Sequence, residues 1–131
     1  MKAALRELVW RRANSRCEYC KFPQDFLDVR FHIEHIIARK HHGADDDQNL
    51  ALSCHHCNEH KGPNIAGIDP LTHELVPLYN PRTHDWDEHF TLIGATMTGL
   101  TPVGRATVDV LNLNDDYMLE LRRDLLATGA M

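Results

Sequence analysis

The sequence of 131 residues predicts an α+β fold: a two-stranded antiparallel hairpin and the helix after it, with an N-terminal helix before them and a mixed α/β C-terminal extension behind. Three observations lead to this fold class. Residues 26–38 alternate in polarity as a half-buried strand does. Residues 54–61 lie between the start and stop signals of a short helix. Two Cys-x-x-Cys pairs flank the hairpin and can hold its ends together.

The first elements follow from local patterns. In KAALRELVWRRA the apolar residues recur at helical spacing, which predicts an N-terminal helix. The alternating segment FLDVRFHIEHIIA predicts a strand, and a Gly- and Asp-rich loop separates it from a second short apolar run. Ser53 as N-cap and Gly62-Pro63 as a stop signal bound a helix over CHHCNEHK.

The chain changes character after Pro63, so we expect a first module at residues 1–66 and an extension packed on it at residues 67–131. The extension is predicted to contain a turn, a hairpin and two helices. Their signals are a turn at Asp69-Pro70, a hairpin about Gly94-Ala95, a helix capped by Thr101 with Pro102 at its first position, and a last helix capped by Asn114 and ended by Gly129.

Charge and hydropathy exclude several classes of protein. The net charge of -5 argues against a uniformly basic nucleic-acid binder, but the acidic excess falls on the extension, so a polyanion should meet residues 1–62. No apolar run approaches the roughly 20 residues needed to cross a bilayer, and the N-terminus has no signal-peptide core. These features predict a soluble, unexported, cytoplasmic protein that has no membrane partner.

The four cysteines are spaced as two pairs, Cys17-x-x-Cys20 and Cys54-x-x-Cys57. Two thiolates of one such turn fit two corners of a tetrahedron, and a second turn completes it, so the spacing predicts a structural zinc ion. The 33 residues between the pairs exceed the usual zinc-ribbon interval of about 15–20, which indicates an insertion between the two halves of the site. Free buried thiols or a redox pair are the alternatives, but a redox pair needs a βαβ pattern that this chain lacks.

The segment between the cysteine pairs carries a second pattern. Glu34-His35, Asn49 and Asn58 with Lys61-Gly62, in this order and with both cysteine pairs, resemble the HNH endonuclease family in its form with a four-cysteine zinc site. The resemblance covers residues 14–63 and implies a ββα-metal finger. It further implies that His35 is the general base, that Glu34 and Asn58 bind a catalytic divalent ion, and that Asn49 holds the loop bearing the base.

These residue types suit phosphodiester hydrolysis, which needs an activated water and relief of charge on the phosphate. A carboxylate and an amide oxygen leave an open site that suits Mg²⁺ or Mn²⁺. Cations are expected to contact the DNA phosphates, and the candidates are Lys61, Arg39, Lys40 and Arg16. The other histidines near the site, His41, His42, His55, His56 and His60, are expected to be mainly solvated surface, and His60 is the first exception to expect because it lies near Asn58.

Two features of this pattern need a structural answer. Glu34 and His35 point to opposite faces of a regular strand, so we expect an irregular backbone at this pair. His32 and Glu34 share a face, which makes an unrelated metal pair the alternative. The family usually has aspartate where Glu34 stands and a proline turn where Arg39 and Lys40 stand.

The sequence thus predicts a metal-dependent endonuclease that cleaves DNA with one divalent ion. A non-catalytic zinc module that binds nucleic acid or protein is the main alternative, and a histidine-rich metal-storage or sensing protein is a third. Whether the protein is a monomer or a homodimer is left open.

Overall fold

In the computed structural model, which describes residues 1–131, the chain folds as two units, Met1–Pro63 and Asn64–Met131. The whole is a mixed α/β protein with three separate two-stranded antiparallel sheets, which agrees with the predicted fold class. None of its helices has both the length and the apolar character that crossing a membrane requires.

The first unit is organised around a short β-hairpin. Helix α1 spans Ala3–Arg12, strands β1 and β2 span His32–His35 and Leu50–Ser53, and helix α2 spans His55–Lys61. In the hairpin His32 lies opposite Ser53 and His35 lies opposite Leu50. Strand β2 is buried along its whole length, and the Arg12 guanidinium of α1 donates to the Leu50 carbonyl at 2.8 Å.

Strand β1 is much shorter than the alternation over residues 26–38 predicts. Gln24, which opens a 3₁₀ turn, donates from its amide to the carbonyls of Leu27 and Val29 and accepts from the backbone N–H of Phe31 at 2.6 Å. These bonds satisfy backbone groups that a neighbouring strand would otherwise have to pair. The alternating segment therefore becomes a strand only at His32, where β2 is available.

The cap of α2 also differs from the prediction. Ser53 is the last residue of β2, and its hydroxyl donates to the Cys54 carbonyl at 3.2 Å. Cys54 is the N-cap instead, because its sulfur accepts from the Cys57 N–H at 3.4 Å. The helix ends at Lys61 with Gly62 as its C-cap, which confirms the predicted stop signal, and the positive φ of 51° at Gly62 is a conformation that favours glycine.

The second unit contains the remaining elements. They are β3 (Ala66–Ile68), β4 (Leu75–Pro77), α3 (Trp86–His89), β5 (Phe90–Ile93), β6 (Thr96–Gly99), α4 (Pro102–Val110) and α5 (Asp116–Ala127). The hairpin about Gly94 and the Thr101 cap are confirmed, since the Thr101 hydroxyl accepts from the Gly104 N–H at 3.0 Å. Asn114 is not a cap: its amide exchanges two 2.8 Å bonds with the backbone of Met97, and Asp115 caps α5.

The core of the second unit contains an aromatic cluster. Phe90 is buried and contacts Tyr79 edge-on at 5.2 Å between ring centroids, and Trp86 lies 5.3 Å from Phe90. Buried Asp69 receives two bonds from the Arg105 guanidinium, at 2.9 and 3.0 Å. The ring contacts agree with the interpretation of Phe90 as a core residue rather than part of a surface for stacking bases, and Trp86 is half-buried against it.

Candidate active site

All four cysteines converge in the first unit. Their sulfurs lie within 4.8 Å of one another, and all four residues are buried. The sulfurs of Cys20 and Cys54 are 3.7 Å apart. A tetrahedral ion with Zn–S bonds of about 2.3 Å separates its ligands by about 3.8 Å, so the cluster fits zinc. The four residues therefore form a site that can bind zinc, with one pair from the turn after α1 and the other from the start of α2.

The turn that carries the first cysteine pair is tied to the hairpin through its neighbours. The Glu18 N–H donates to the Leu52 carbonyl, and the Glu18 carboxylate accepts from the Leu52 N–H, both at 2.9 Å. Tyr19, the next residue, is fully buried and donates its hydroxyl hydrogen bond to Glu34. Because Tyr19 lies between two cysteines, the sulfur cluster and the carboxylate of β1 are held by the same turn.

Glu34 lies inside the protein, with only 7% of its surface exposed. One carboxylate oxygen accepts from Tyr19, and the other lies 3.9 Å from the Lys61 ammonium. Burial raises the pKa of Glu34 to about 7, although both the ammonium and the hydroxyl favour the ionised form. Both oxygens of the expected metal ligand are therefore already engaged by protein groups.

Lys61 is not placed as a phosphate contact. It is 1% exposed, and its ammonium donates to the Ile36 carbonyl at 2.8 Å. Burial lowers its pKa, while the nearby Glu34 carboxylate opposes this shift. The ammonium thus braces the end of β1 from within, because α2 presents Lys61 on the side that carries the buried Cys54 and Cys57.

His35 is the last residue of β1, and its ring points away from Glu34. Its Nε2 lies 2.5 Å from the Asp45 carboxylate, which also accepts from the Arg39 guanidinium at 3.1 Å. The imidazole is largely shielded, with 17% of the side chain exposed, whereas Asp45 is open to solvent. The contacts with His35 and then Arg39 hold the pKa of Asp45 below its usual range.

The expected irregularity at Glu34-His35 is absent. Both residues belong to β1 in regular register, opposite Ala51 and Leu50. Their side chains therefore point to opposite faces, and the strand ends immediately after His35. The two members of the His32–Glu34 alternative lie in different surroundings, since Glu34 is buried while His32 is exposed and contacts His55.

Asn49 fixes the loop between the two strands. Its side-chain oxygen accepts from the Ile37 N–H, and its amide donates to the carbonyls of Ile37 and Ala44, each at 2.9 Å. Gly43 lies under the same amide, where a Cβ would come within 1.7 Å of the Ile37 carbonyl oxygen. One buried side chain thus joins both ends of residues 37–44, the loop that carries Arg39 and leads to Asp45.

The other expected residues lie in different environments. Asn58 is half-buried on α2, one turn before Lys61. Arg39 and Lys40 are exposed in a 3₁₀ turn. Arg16 is half-buried, and its guanidinium donates to the Lys21 carbonyl at 3.2 Å. Of the expected phosphate contacts, Arg39 and Lys40 are therefore the most accessible to a ligand in solution.

Sequence reasoning missed two residues, Asp45 and Tyr19. The signal for Asp45 was the acidic run ADDD ten residues beyond His35, which has the composition of an ordinary loop. Tyr19 had a clearer signal, since it is an aromatic residue between the two cysteines of one metal-binding turn.

Comparison with known proteins agrees with this arrangement. Residues 17–64 match the sequence model of the family described as HNH endonuclease. Septu protein PtuB of Bacillus thuringiensis is 29% identical over 130 residues, which are 98% of this chain and 46% of that protein. The chain thus spans less than half the length of this relative. No solved structure gives a significant match. The segment at residues 17–64, with its paired cysteines, hairpin and following helix, is therefore a domain of the HNH endonuclease family.

Proposed function

We propose that this chain is a metal-dependent endonuclease that hydrolyses DNA phosphodiester bonds, with His35 as the general base. The observation that carries the proposal is the contact of His35 with Asp45 at the end of β1, beside a loop fixed by Asn49, within an HNH endonuclease domain. A shielded imidazole paired with a carboxylate is a common arrangement for accepting a proton at neutral pH.

The contact with Asp45 supports one tautomer of His35. With the Nε2 hydrogen donated to the carboxylate, Nδ1 keeps its lone pair and can take a proton from water. The water oxygen then forms a bond to phosphorus, and the bond from phosphorus to the leaving sugar oxygen breaks. That oxygen leaves with a proton from solvent. Asp45 acts in this proposal as a positioning residue for the imidazole.

Glu34 and Asn58 are the residues that would bind the catalytic ion. A carboxylate and an amide oxygen match the ligand preference of Mg²⁺ or Mn²⁺, which would offset negative charge on the phosphate when bound. In this proposal Lys61 affects metal binding instead of contacting phosphate. Since its ammonium is 3.9 Å from Glu34, it competes with a divalent ion for that carboxylate.

Arg39 and Lys40 are the proposed contacts to DNA phosphates, with Arg16 as a further candidate at the turn that carries the first cysteine pair. Their exposure supports this role for the first two. The residues named for catalysis and for zinc all fall within residues 1–66, which we take as the nuclease module. Residues 67–131 form the extension.

Plasmid nicking tests the proposal. Supercoiled DNA is incubated with zinc-loaded protein and either Mn²⁺ or Mg²⁺, and wild type is compared with His35→Ala. Loss of a general base lowers the rate by about 10²–10⁴-fold. His41→Ala, which removes an exposed imidazole from the same loop, should nick like wild type. Equal nicking by the His35 variant would remove His35 from its role.

Two further variants probe the assigned residues. Asp45→Asn should lower kcat with little change in KM, because it disturbs the tautomer and not DNA binding. Lys61→Met should lower the metal concentration that gives half-maximal nicking if Glu34 binds the ion. An unchanged or higher metal requirement would contradict the assignment of Glu34.

One observation favours a second function, a non-catalytic zinc module that binds nucleic acid or protein. Both carboxylate oxygens of Glu34 contact protein groups, Tyr19 and Lys61. If these contacts are permanent, the protein should bind its partner but should not cleave DNA, whichever divalent ion is added. Equilibrium dialysis with Mn²⁺ separates the two functions, since only the nuclease requires an Mn²⁺ site that is lost in Glu34→Gln.

A further inference from the structure

An exposed cluster of His32, His55 and Glu59 lies at the opposite end of β1 from His35. His32 begins β1 and is paired with Ser53, so it lies beside the start of α2, where His55 is the first helical residue. Glu59 follows His55 by one helical turn. The hairpin register and the helix together bring the three side chains to one place on the surface.

The two imidazoles are spaced as ligands of one ion. The distance from His32 Nε2 to His55 Nδ1 is 3.4 Å, and the ring centroids are 5.6 Å apart. Zn–N bonds of about 2.0–2.1 Å separate two corners of a tetrahedron by about 3.3–3.4 Å. The cysteine cluster obeys the same relation, with 3.7 Å observed and about 3.8 Å expected for Zn–S bonds of about 2.3 Å. The same 3.4 Å is longer than the roughly 2.7–3.2 Å usual for N–H hydrogen bonds to oxygen in proteins.

Glu59 contacts one imidazole of the cluster and can orient it. Its carboxylate lies 3.1 Å from His55 Nε2, the ring nitrogen that faces away from His32. Donation of the Nε2 hydrogen to Glu59 leaves the lone pair on Nδ1, directed to the side of His32. A ligating histidine characteristically donates its second N–H to a carboxylate in this way, which orients the ring and strengthens the ligand.

We propose that His32 and His55 bind a borderline transition-metal ion such as Zn²⁺, at a site separate from the four cysteines, with Glu59 as the positioning residue. Imidazole nitrogen selects such ions over Mg²⁺ and Mn²⁺, which prefer oxygen ligands. Both rings are exposed, so the remaining coordination positions face solvent and can take water or an anionic group. The site stands independently of the proposed nuclease function.

Native mass spectrometry and zinc titration of the full chain test this site. Wild type should bind a second Zn²⁺ beyond the ion at the cysteines, and His32→Gln and His55→Gln should each lose the second ion while keeping the first. His41→Gln is the matched control, since it removes an exposed histidine of the same unit outside the cluster, and it should bind like wild type. Glu59→Gln should weaken the second site by about 10–100-fold.

Cobalt supplies an independent readout. Co²⁺ added to the zinc-loaded protein should give visible ligand-field bands without the thiolate charge-transfer absorption of a sulfur site, and these bands should be absent from His55→Gln. Retention of the first zinc in each variant shows that the unit is folded. A single zinc per wild-type chain, or a second zinc that survives both histidine substitutions, would overturn the proposal. Unchanged affinity in Glu59→Gln would overturn the role of Glu59.

Discussion

The buried pair of Glu34 and Lys61 gives a quantitative prediction for a double-mutant cycle. The variants are Lys61→Met, Glu34→Gln and the two combined. Two unit charges 3.9 Å apart interact by about 4 kcal/mol at an effective dielectric constant of about 20. Removing one partner of a buried pair costs about 3–5 kcal/mol, because the other charge is left without compensation.

We therefore expect Lys61→Met to lower the free energy of unfolding of the first unit by about 3–5 kcal/mol. Glu34→Gln should cost less, since the glutamine can still accept from Tyr19 and Lys61 keeps its bond to Ile36. The double variant should lose less unfolding free energy than the two single variants lose together, and the difference, the coupling energy, should be about 2–4 kcal/mol.

Urea unfolding with saturating zinc measures these values. Trp86→Phe as the common background leaves Trp10 of α1 as the only tryptophan, so its fluorescence reports on the first unit alone. A coupling below about 0.5 kcal/mol would refute the interaction, because pairs that do not interact add within that margin.

The pH dependence supplies a second check on the same cycle. The pKa of Glu34 is about 7 in the folded protein, above that of an unfolded glutamate, so the ionised carboxylate lowers stability as pH rises through 7. The cost of Lys61→Met should thus be larger at pH 8 than at pH 5.5, where Glu34 is protonated. In the Glu34→Gln background the cost should not change with pH.

Three further predictions concern other parts of the chain. Asn49→Ala removes three hydrogen bonds made by a buried side chain and should lower the free energy of unfolding in urea by about 2–4 kcal/mol. The control Gln48→Ala, at an exposed position, should change this free energy by less than about 0.5 kcal/mol. Similar values for both variants would contradict the role of Asn49. A strong zinc chelator should remove amide-exchange protection across Met1–Pro63, because the sulfur cluster joins its segments; full protection after verified metal loss would show that zinc is dispensable. Burial and the neighbouring His89 lower the pKa of His84, so the unfolded state binds a proton at this residue more readily than the folded state does. The second unit should therefore lose stability as pH falls below about 6.5. Thermal unfolding of wild type and His84→Gln measures this loss, and identical pH profiles for the two proteins would refute it.

Local patterns predicted the helices and turns well where one residue type decides the outcome. Thr101 with Pro102 and the glycine of the β5–β6 turn are such positions. The length of β1 was not predictable in this way, because the amide of Gln24 pairs with backbone groups up to seven residues away. A polarity pattern reports which face a residue prefers, but it does not report which partner its backbone finds.

The site residues show a similar division. The cysteine spacing identified the sulfur cluster because ligand geometry restricts the sequence directly. The positive charge of Lys61 alone predicts an exposed phosphate contact, and this prediction leaves out the position of Lys61 on the helix. Cys54, Cys57 and Lys61 are spaced by three and four residues, the helical spacing of one face, so the buried cysteines already indicated that Lys61 points inward. Asp45 depends on the course of a loop, and no local rule supplied it.

The clamp formed by Asn49 has a consequence for how this domain can diversify. Asn49 bonds to both Ile37 and Ala44, so the two ends of the loop are held in place by one side chain. Residues 38–42 between them can change without moving these ends. Substitutions or insertions there should alter the outer surface near His35 without shifting the strand that carries it. Gly43 is the exception, since any side chain would collide with the Ile37 carbonyl and open the clamp. New binding preferences can thus arise beside the imidazole while the hairpin is preserved.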